Sequence, residues 1–79
     1  MTTRKIIVFT QPDYLPCEAV KLFLKDRKAK FEERCVTDGK DALRELAEKY
    51  NSRSIPTVVI DDEVVVGFDP ERLDQLFEQ

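Results

Sequence analysis

"KIIVFTQPDYLPCEAVKLFL", Lys5 to Leu24, decides the fold. Its first six residues form a short apolar run rich in β-branched side chains, the pattern of a strand buried on both faces, so this strand is expected at the centre of a sheet. "QPDYLP" breaks the run, and Pro16 then takes the first turn of a helix, where a missing N–H leaves no bond unmade. The spacing predicts a helix from about Pro16 to Arg27. Cys17, Val20 and Leu24 share one stripe of it with Phe23 alongside, while Lys21, Lys25 and Lys28 lie off the stripe or at its margin.

Downstream, "KFEERCV", Lys30 to Val36, reads as a second strand. Its alternation is impure, with Phe31, Glu33 and Cys35 on one side and Glu32, Arg34 and Val36 on the other, which suits a sheet edge. "TDGKDALRELAEKY" gives the cleanest helical period, Leu43, Leu46, Ala47 and Tyr50, with Asp38 as the predicted N-cap. "NSRSIP" ends that helix. "TVVIDDEVVVG" is two apolar strands around Asp61 and Asp62, residues that tolerate the positive φ of a tight hairpin turn. "DPERLDQLFEQ" closes the chain as a helix capped by Asp69, with Pro70 at its first position and Leu73, Leu76 and Phe77 on one face. The order is β-α-β-α-β-β-α. A βαβ unit gives parallel strands and the hairpin adds antiparallel ones, so a mixed four-stranded α/β sheet with three helices is expected.

The 79 residues are expected to form one domain, 1–79, because a chain of this size buries only about 60% of its unfolded surface and supports one core. A hydrophobic fraction of 42% beside 37% charged residues fits a globular chain rather than a disordered one. Thirteen basic and sixteen acidic residues are interspersed, giving a net charge of -3 and no basic face for nucleic acid. The apolar run Ile6 to Phe9 is far too short for a membrane span or a signal peptide, so a cytoplasmic protein with reduced thiols is expected. There is no histidine, which removes the commonest general base and metal ligand. Two cysteines, Cys17 and Cys35, do not make a zinc ligand set.

Three local signatures add to this order. "TQPDYLPCEAVKLFL" resembles the T-x-P-x-C-x-x-C-x-x-(A/V)-K-x-x-L segment of glutaredoxin-like proteins, with Tyr14 at the place of the first cysteine. "RSIPTVVI" is similar to the loop that ends in a cis-proline in that family, and "VVVGFDPERL" is close to the G-F-x-P-x-x-L ending of the small redoxins that reduce ribonucleotide reductase. The resemblance covers nearly the whole chain. It implies the thioredoxin/glutaredoxin-like fold and an ancestry in thiol–disulfide exchange, in which a thiolate at a helix N-terminus attacks a disulfide and a second thiol one turn later resolves it.

Cys17 matches the resolving position and Tyr14 the attacking one. A phenol forms no disulfide, so the dithiol cycle is excluded and one-thiol chemistry at Cys17 is the most that remains. Set against that chemistry, Cys17 shares its stripe with core residues, and free cysteine is among the most buried residue types. Cys35 is the weaker thiol, in a strand with no helix dipole near it, and pairing with Cys17 is not expected. The resemblance also implies a binding strip made of Tyr14, Leu15, Pro16, Arg53, Ser54, Ile55, Pro56, Gly67 and Phe68. If the bond before Pro56 is cis, the Ile55 backbone lies beside Cys17, open to an extended peptide of a disulfide-bearing partner or to glutathione. Relatives that bind glutathione usually carry lysine where Gln11 stands and two glycines where Gly67 and Phe68 stand, so glutathione is weakly supported and no resident cofactor or metal is expected. The alternative to one-thiol chemistry is a non-catalytic binding module using the groove beside Pro56. A monomer is expected, with no membrane contact.

Overall fold

The structure, a computed structural model, describes residues 5–77. Its elements are β1 (Ile6–Thr10), α1 (Leu15–Asp26), β2 (Glu32–Cys35), α2 (Lys40–Glu48), β3 (Thr57–Ile60), β4 (Glu63–Val66) and α3 (Pro70–Phe77). The sheet order is β2-β1-β3-β4. β2 runs parallel to β1, while β3 is antiparallel to both β1 and β4. The apolar run expected at the centre is there, paired on both edges and buried at every position. The impure strand is at an edge, as its alternation predicts.

Period-two alternation splits the core into two layers. On one face, Ile6, Val8, Val58, Ile60 and Val65 pack with Val20 and Leu24 of α1 and Leu73 and Leu76 of α3. On the other, Ile7, Phe9 and Val59 meet Leu46 of α2, with Tyr50 and Ile55 beside them. Leu43, predicted on the same stripe as Leu46, is instead 52% exposed. The sheet offers this face little apolar ground, which Leu46 and Tyr50 cover, and the neighbouring edge position holds Arg34, ion-paired with Glu45 of α2.

The helix ends depart from expectation in small, explicable ways. α1 begins one residue early, with Tyr14 at its N-cap in an extended conformation. It ends at Asp26 because Arg27 caps it and Lys28 turns left-handed, at φ 57. Lys28 N–H then bonds Leu24's neighbour, the Lys25 carbonyl, at 2.9 Å, and Ala29 N–H bonds the Leu24 carbonyl at 3.0 Å. This is a Schellman closure with lysine where glycine is favoured. Asp38 is not the N-cap of α2: its own N–H closes a turn on the Cys35 carbonyl at 3.2 Å, and Gly39 occupies the cap without a side-chain bond. In the hairpin only Asp61 of the two aspartates has positive φ. Asp69 does cap α3, its Oδ1 accepting the Arg72 N–H at 3.1 Å.

Lys28→Gly is expected to raise stability by about 1 kcal/mol, since it relieves the left-handed penalty of a residue bearing Cβ. Leu24→Ala, in the core layer beneath α1, is expected to cost about 2–5 kcal/mol. Urea midpoints of both variants test these figures.

Candidate functional site

Strand register puts the relevant loops at one end of the sheet. Thr10 ends β1 opposite Cys35, and Phe9 pairs with Thr57, the first residue of β3, which in turn pairs with Val66, the last of β4. The β1–α1 turn, the loop before β3 and the Gly67–Phe68 turn therefore leave the sheet on the same side. In the first of these, Asp13 adopts φ 55, which aspartate tolerates better than most side chains.

Cys17 lies in the opening turn of α1, its N–H bonded to the Tyr14 carbonyl at 3.0 Å. A helix start favours a thiolate, yet this thiol is only 1% exposed. Burial pushes it above the ordinary thiol range. A hydrogen bond to the Gln11 backbone and the Lys21 ammonium pull the other way, and Glu18 and Glu33 add to the rise. Desolvation wins, so the thiol holds its proton near neutral pH. Tyr14 and Leu15 face outward, with Leu15 82% exposed.

A charged network missed by the sequence reading lies next to this turn. Thr10 Oγ1 donates to Glu33 Oε2 at 2.8 Å, and Lys21 Nζ bridges Glu33 at 3.3 Å and Glu18 at 3.4 Å. The Thr10 hydroxyl is the main cause holding the Glu33 carboxyl low, burial opposes it, and Lys21 assists. Burial draws Lys21 down, but its bonds to Glu33 and Glu18 outweigh that and hold it high. The network lines a cavity of about 460 Å3 that also takes in Gln11 and Cys35. Lys21 sits one turn after Cys17, a legible spacing; Glu33 joins it only through the β1–β2 register. Both cysteines are free thiols, and Cys35 is half-buried, its Sγ 3.0 Å from Thr37 Oγ1.

The loop before β3 is held by hydroxyls. Thr57 Oγ1 donates to the Ser54 carbonyl at 2.7 Å and is paired at 2.8 Å with Ser52 Oγ, whose backbone N–H bonds the Leu46 carbonyl. The Ile55–Pro56 peptide bond is cis. Ile55 N–H and C=O make no hydrogen bond among the described residues, while the Pro56 carbonyl accepts the Gly67 N–H at 2.7 Å. Gly67 has φ 78, a conformation that disfavours any side chain. Phe68 is 41% exposed and meets Phe23 edge-on at 6.1 Å. Arg53 and Ser54 are exposed, and Arg53 forms no ion pair among the described residues. Pro16 is half-buried at the helix start.

A glutaredoxin family model matches residues 6–65. The chain belongs to the glutaredoxin family. Among solved structures it is similar to the thioredoxin-like protein BC3987, with 51% identity, TM-score 0.86, and coverage of 90% of this chain and 97% of that one. The NrdH-redoxin of Escherichia coli, described as a glutaredoxin-like protein with a thioredoxin-like activity profile, is 28% identical with TM-score 0.79, over 91% of this chain and 93% of that one. The Gene 56 protein of Mycobacterium phage L5 is 32% identical over 92% of this chain and 72% of its own length. In this family member no helix among the described residues is long and apolar enough to cross a membrane. No group of candidate metal ligands is found among the described residues.

In the native protein, an uncharged alkylating reagent is expected to modify Cys35 well before Cys17, and the two rates should converge in urea; mass spectrometry of the labelled peptides reads the order. Because the Cys17 pKa is raised in the fold, the stability it contributes is present below the unfolded-thiol pKa, about 8.5, and is lost as pH rises through the folded value. Cys17→Ser should remove that part of the alkaline fall. Glu33, held low, contributes stability above about pH 4.3 that is lost as pH falls, and Glu33→Gln should flatten that part of the acid limb.

Proposed function

We propose that this glutaredoxin-family chain uses the inherited strip beside Pro56 to hold an extended segment of a thiol- or disulfide-bearing protein, and that it runs no dithiol cycle. The observation that carries this reading is the burial of Cys17, the cysteine at a helix start, combined with a phenol at residue 14. Tyr14 has no sulfur to exchange. What the chain does offer is main chain at Ile55 that is unpaired among the described residues, next to the Pro56–Gly67 bond that brings the half-exposed Phe68 ring to this loop, with Tyr14 half-exposed at the start of α1. An extended peptide adding to Ile55 gains backbone hydrogen bonds worth about 0.5–1.5 kcal/mol each, and the rings supply apolar anchors. Leu15 and Arg53 border the strip, and Arg53 is free to meet a carboxylate of the bound segment. Glutathione is a substrate to be probed rather than a resident group. The protein acts as a monomer in a reducing, cytoplasmic compartment, where free thiols persist.

A second reading, one-thiol exchange, is favoured by the Gln11 backbone bond and the Lys21 charge, both of which stabilise the Cys17 thiolate. In that reaction Cys17 thiolate attacks a glutathione mixed disulfide, the substrate thiolate leaves, and a second glutathione thiolate releases Cys17 with oxidised glutathione as product. Burial leaves little thiolate to begin it.

Turnover of a glutathione mixed disulfide and of a protein disulfide is expected to stay at the uncatalysed rate for the native chain and for Cys17→Ser alike. Turnover by the native chain that Cys17→Ser abolishes would establish the one-thiol reading instead. Tyr14→Cys, which supplies the missing first thiol, is expected to give strong disulfide reductase activity. Binding of an extended peptide should weaken about tenfold in Phe68→Ala, an exposed position, as measured by fluorescence anisotropy.

A further inference from the structure

Phe68, one of the half-exposed rings assigned to the strip beside Pro56, does not stand alone on its turn. Its backbone is set by Gly67, whose φ of 78 turns the chain out of β4 and whose N–H bonds the Pro56 carbonyl at 2.7 Å. That bond fixes the main chain but not the side chain, and a ring 41% exposed has room to change rotamer. What holds it is Phe23 of α1, half-buried against the core, whose ring meets Phe68 at 6.1 Å between centroids and 76° between planes. This is the edge-to-face arrangement that aromatic quadrupoles favour.

Phe23 is held in turn. Arg27, four residues on and therefore on the same side of α1, lays its guanidinium 3.5 Å from the centroid of the Phe23 ring. The guanidinium is itself fixed by Asp74 of α3, whose Oδ1 accepts from Arg27 Nε at 3.1 Å and from a terminal nitrogen as well. Both side chains of this ion pair are partly in water, so it adds little to stability by itself. Its effect is geometric, because two bonds to one carboxylate keep the guanidinium plane over the ring. α3 starts at Pro70, two residues after Phe68, so the contacts close a circuit from the Gly67–Phe68 turn through Phe23, Arg27 and Asp74 back to that turn.

We propose that Phe23 and Arg27 are positioning residues for the strip beside Pro56: they lock the Phe68 ring in one rotamer, so that an extended segment meets a preformed aromatic anchor. The proposal rests on the binding role given to the strip above and adds how its anchor is kept ready. An anchor ordered beforehand spares the complex the loss of rotamer freedom on docking, a factor of about two to ten in affinity. Arginine is required rather than any cation, because a lysine keeps the charge but has no plane to lay on the ring.

The test uses the full chain and two readouts. NMR of the free protein gives the Hα–Hβ couplings of Phe68, and fluorescence anisotropy follows a fluorescein-labelled peptide of alternating valine and threonine around one cysteine. The native chain is expected to show the couplings of a single χ1 rotamer. Arg27→Lys and Phe23→Leu should each average those couplings and weaken the peptide about threefold to fivefold, with the urea midpoint of Arg27→Lys unchanged. In a Phe68→Ala chain, adding Arg27→Lys should weaken the peptide no further, since its effect passes through the ring. A single Phe68 rotamer retained in Arg27→Lys, or equal weakening by Arg27→Lys with and without the Phe68 ring, would overturn the proposal. So would a lower urea midpoint in Arg27→Lys with unchanged peptide affinity, the result expected of a plain latch between α1 and α3. Peptide binding by a native chain whose Phe68 couplings are averaged overturns the positioning role alone. No peptide binding by the native chain overturns the reading of the strip, and the positioning role with it.

Discussion

The structure depends on β1 being hydrogen-bonded along both edges and covered on both faces. Every residue from Ile6 to Thr10 is buried, and the strand gives its side chains alternately to the α1–α3 layer and to the α2 layer. A strand held this way leaves its neighbours little freedom. β2 must lie parallel because α1 carries the chain back to the starting end, and β3 lies antiparallel because the segment after α2, residues 51–56, returns the chain to the end where β2 finished. The registers then bring Thr10, Cys35, Thr57 and Val66 to one end of the sheet, which is where all the candidate binding residues arise.

The same packing decides the fate of the thiol. α1 docks on β1 through Val20 and Leu24, and the stripe that seats those residues seats Cys17 as well. The helix start and Lys21 favour a thiolate, but desolvation outweighs them. The Glu18–Lys21–Glu33 bridge also limits what Lys21 contributes, since its charge is shared with two carboxylates. Hydroxyls do comparable work on the other side, where Ser52 and Thr57 fix the loop through buried bonds and the main chain of Ile55 has no hydrogen-bond partner among the described residues. One end of the sheet thus offers backbone and aromatic surface more readily than it offers sulfur.

Local signals determined most of the architecture. Element order, the central place of "KIIVFT", the edge place of the second strand and the cap at Asp69 were all legible, because each follows from periodicity or from a residue's own backbone chemistry. Two expectations for α2 failed for separate reasons: the turn closed on the Cys35 carbonyl took Asp38 away from the cap, and the narrow apolar patch of the sheet, filled by Leu46 and Tyr50, left Leu43 exposed.

By itself the sequence determined which groups are absent: it has no histidine to act as a base and a phenol rather than a thiol at residue 14, three places before Cys17, since covalent structure is indifferent to folding. Only the tertiary structure decided how exposed Cys17 is, that Glu33 reaches Thr10 and Lys21 from another strand, and that Leu15 and Leu22 stay in water while Leu24 does not. Those outcomes depend on what lies across the packing interface, and residues far apart in the chain supply it.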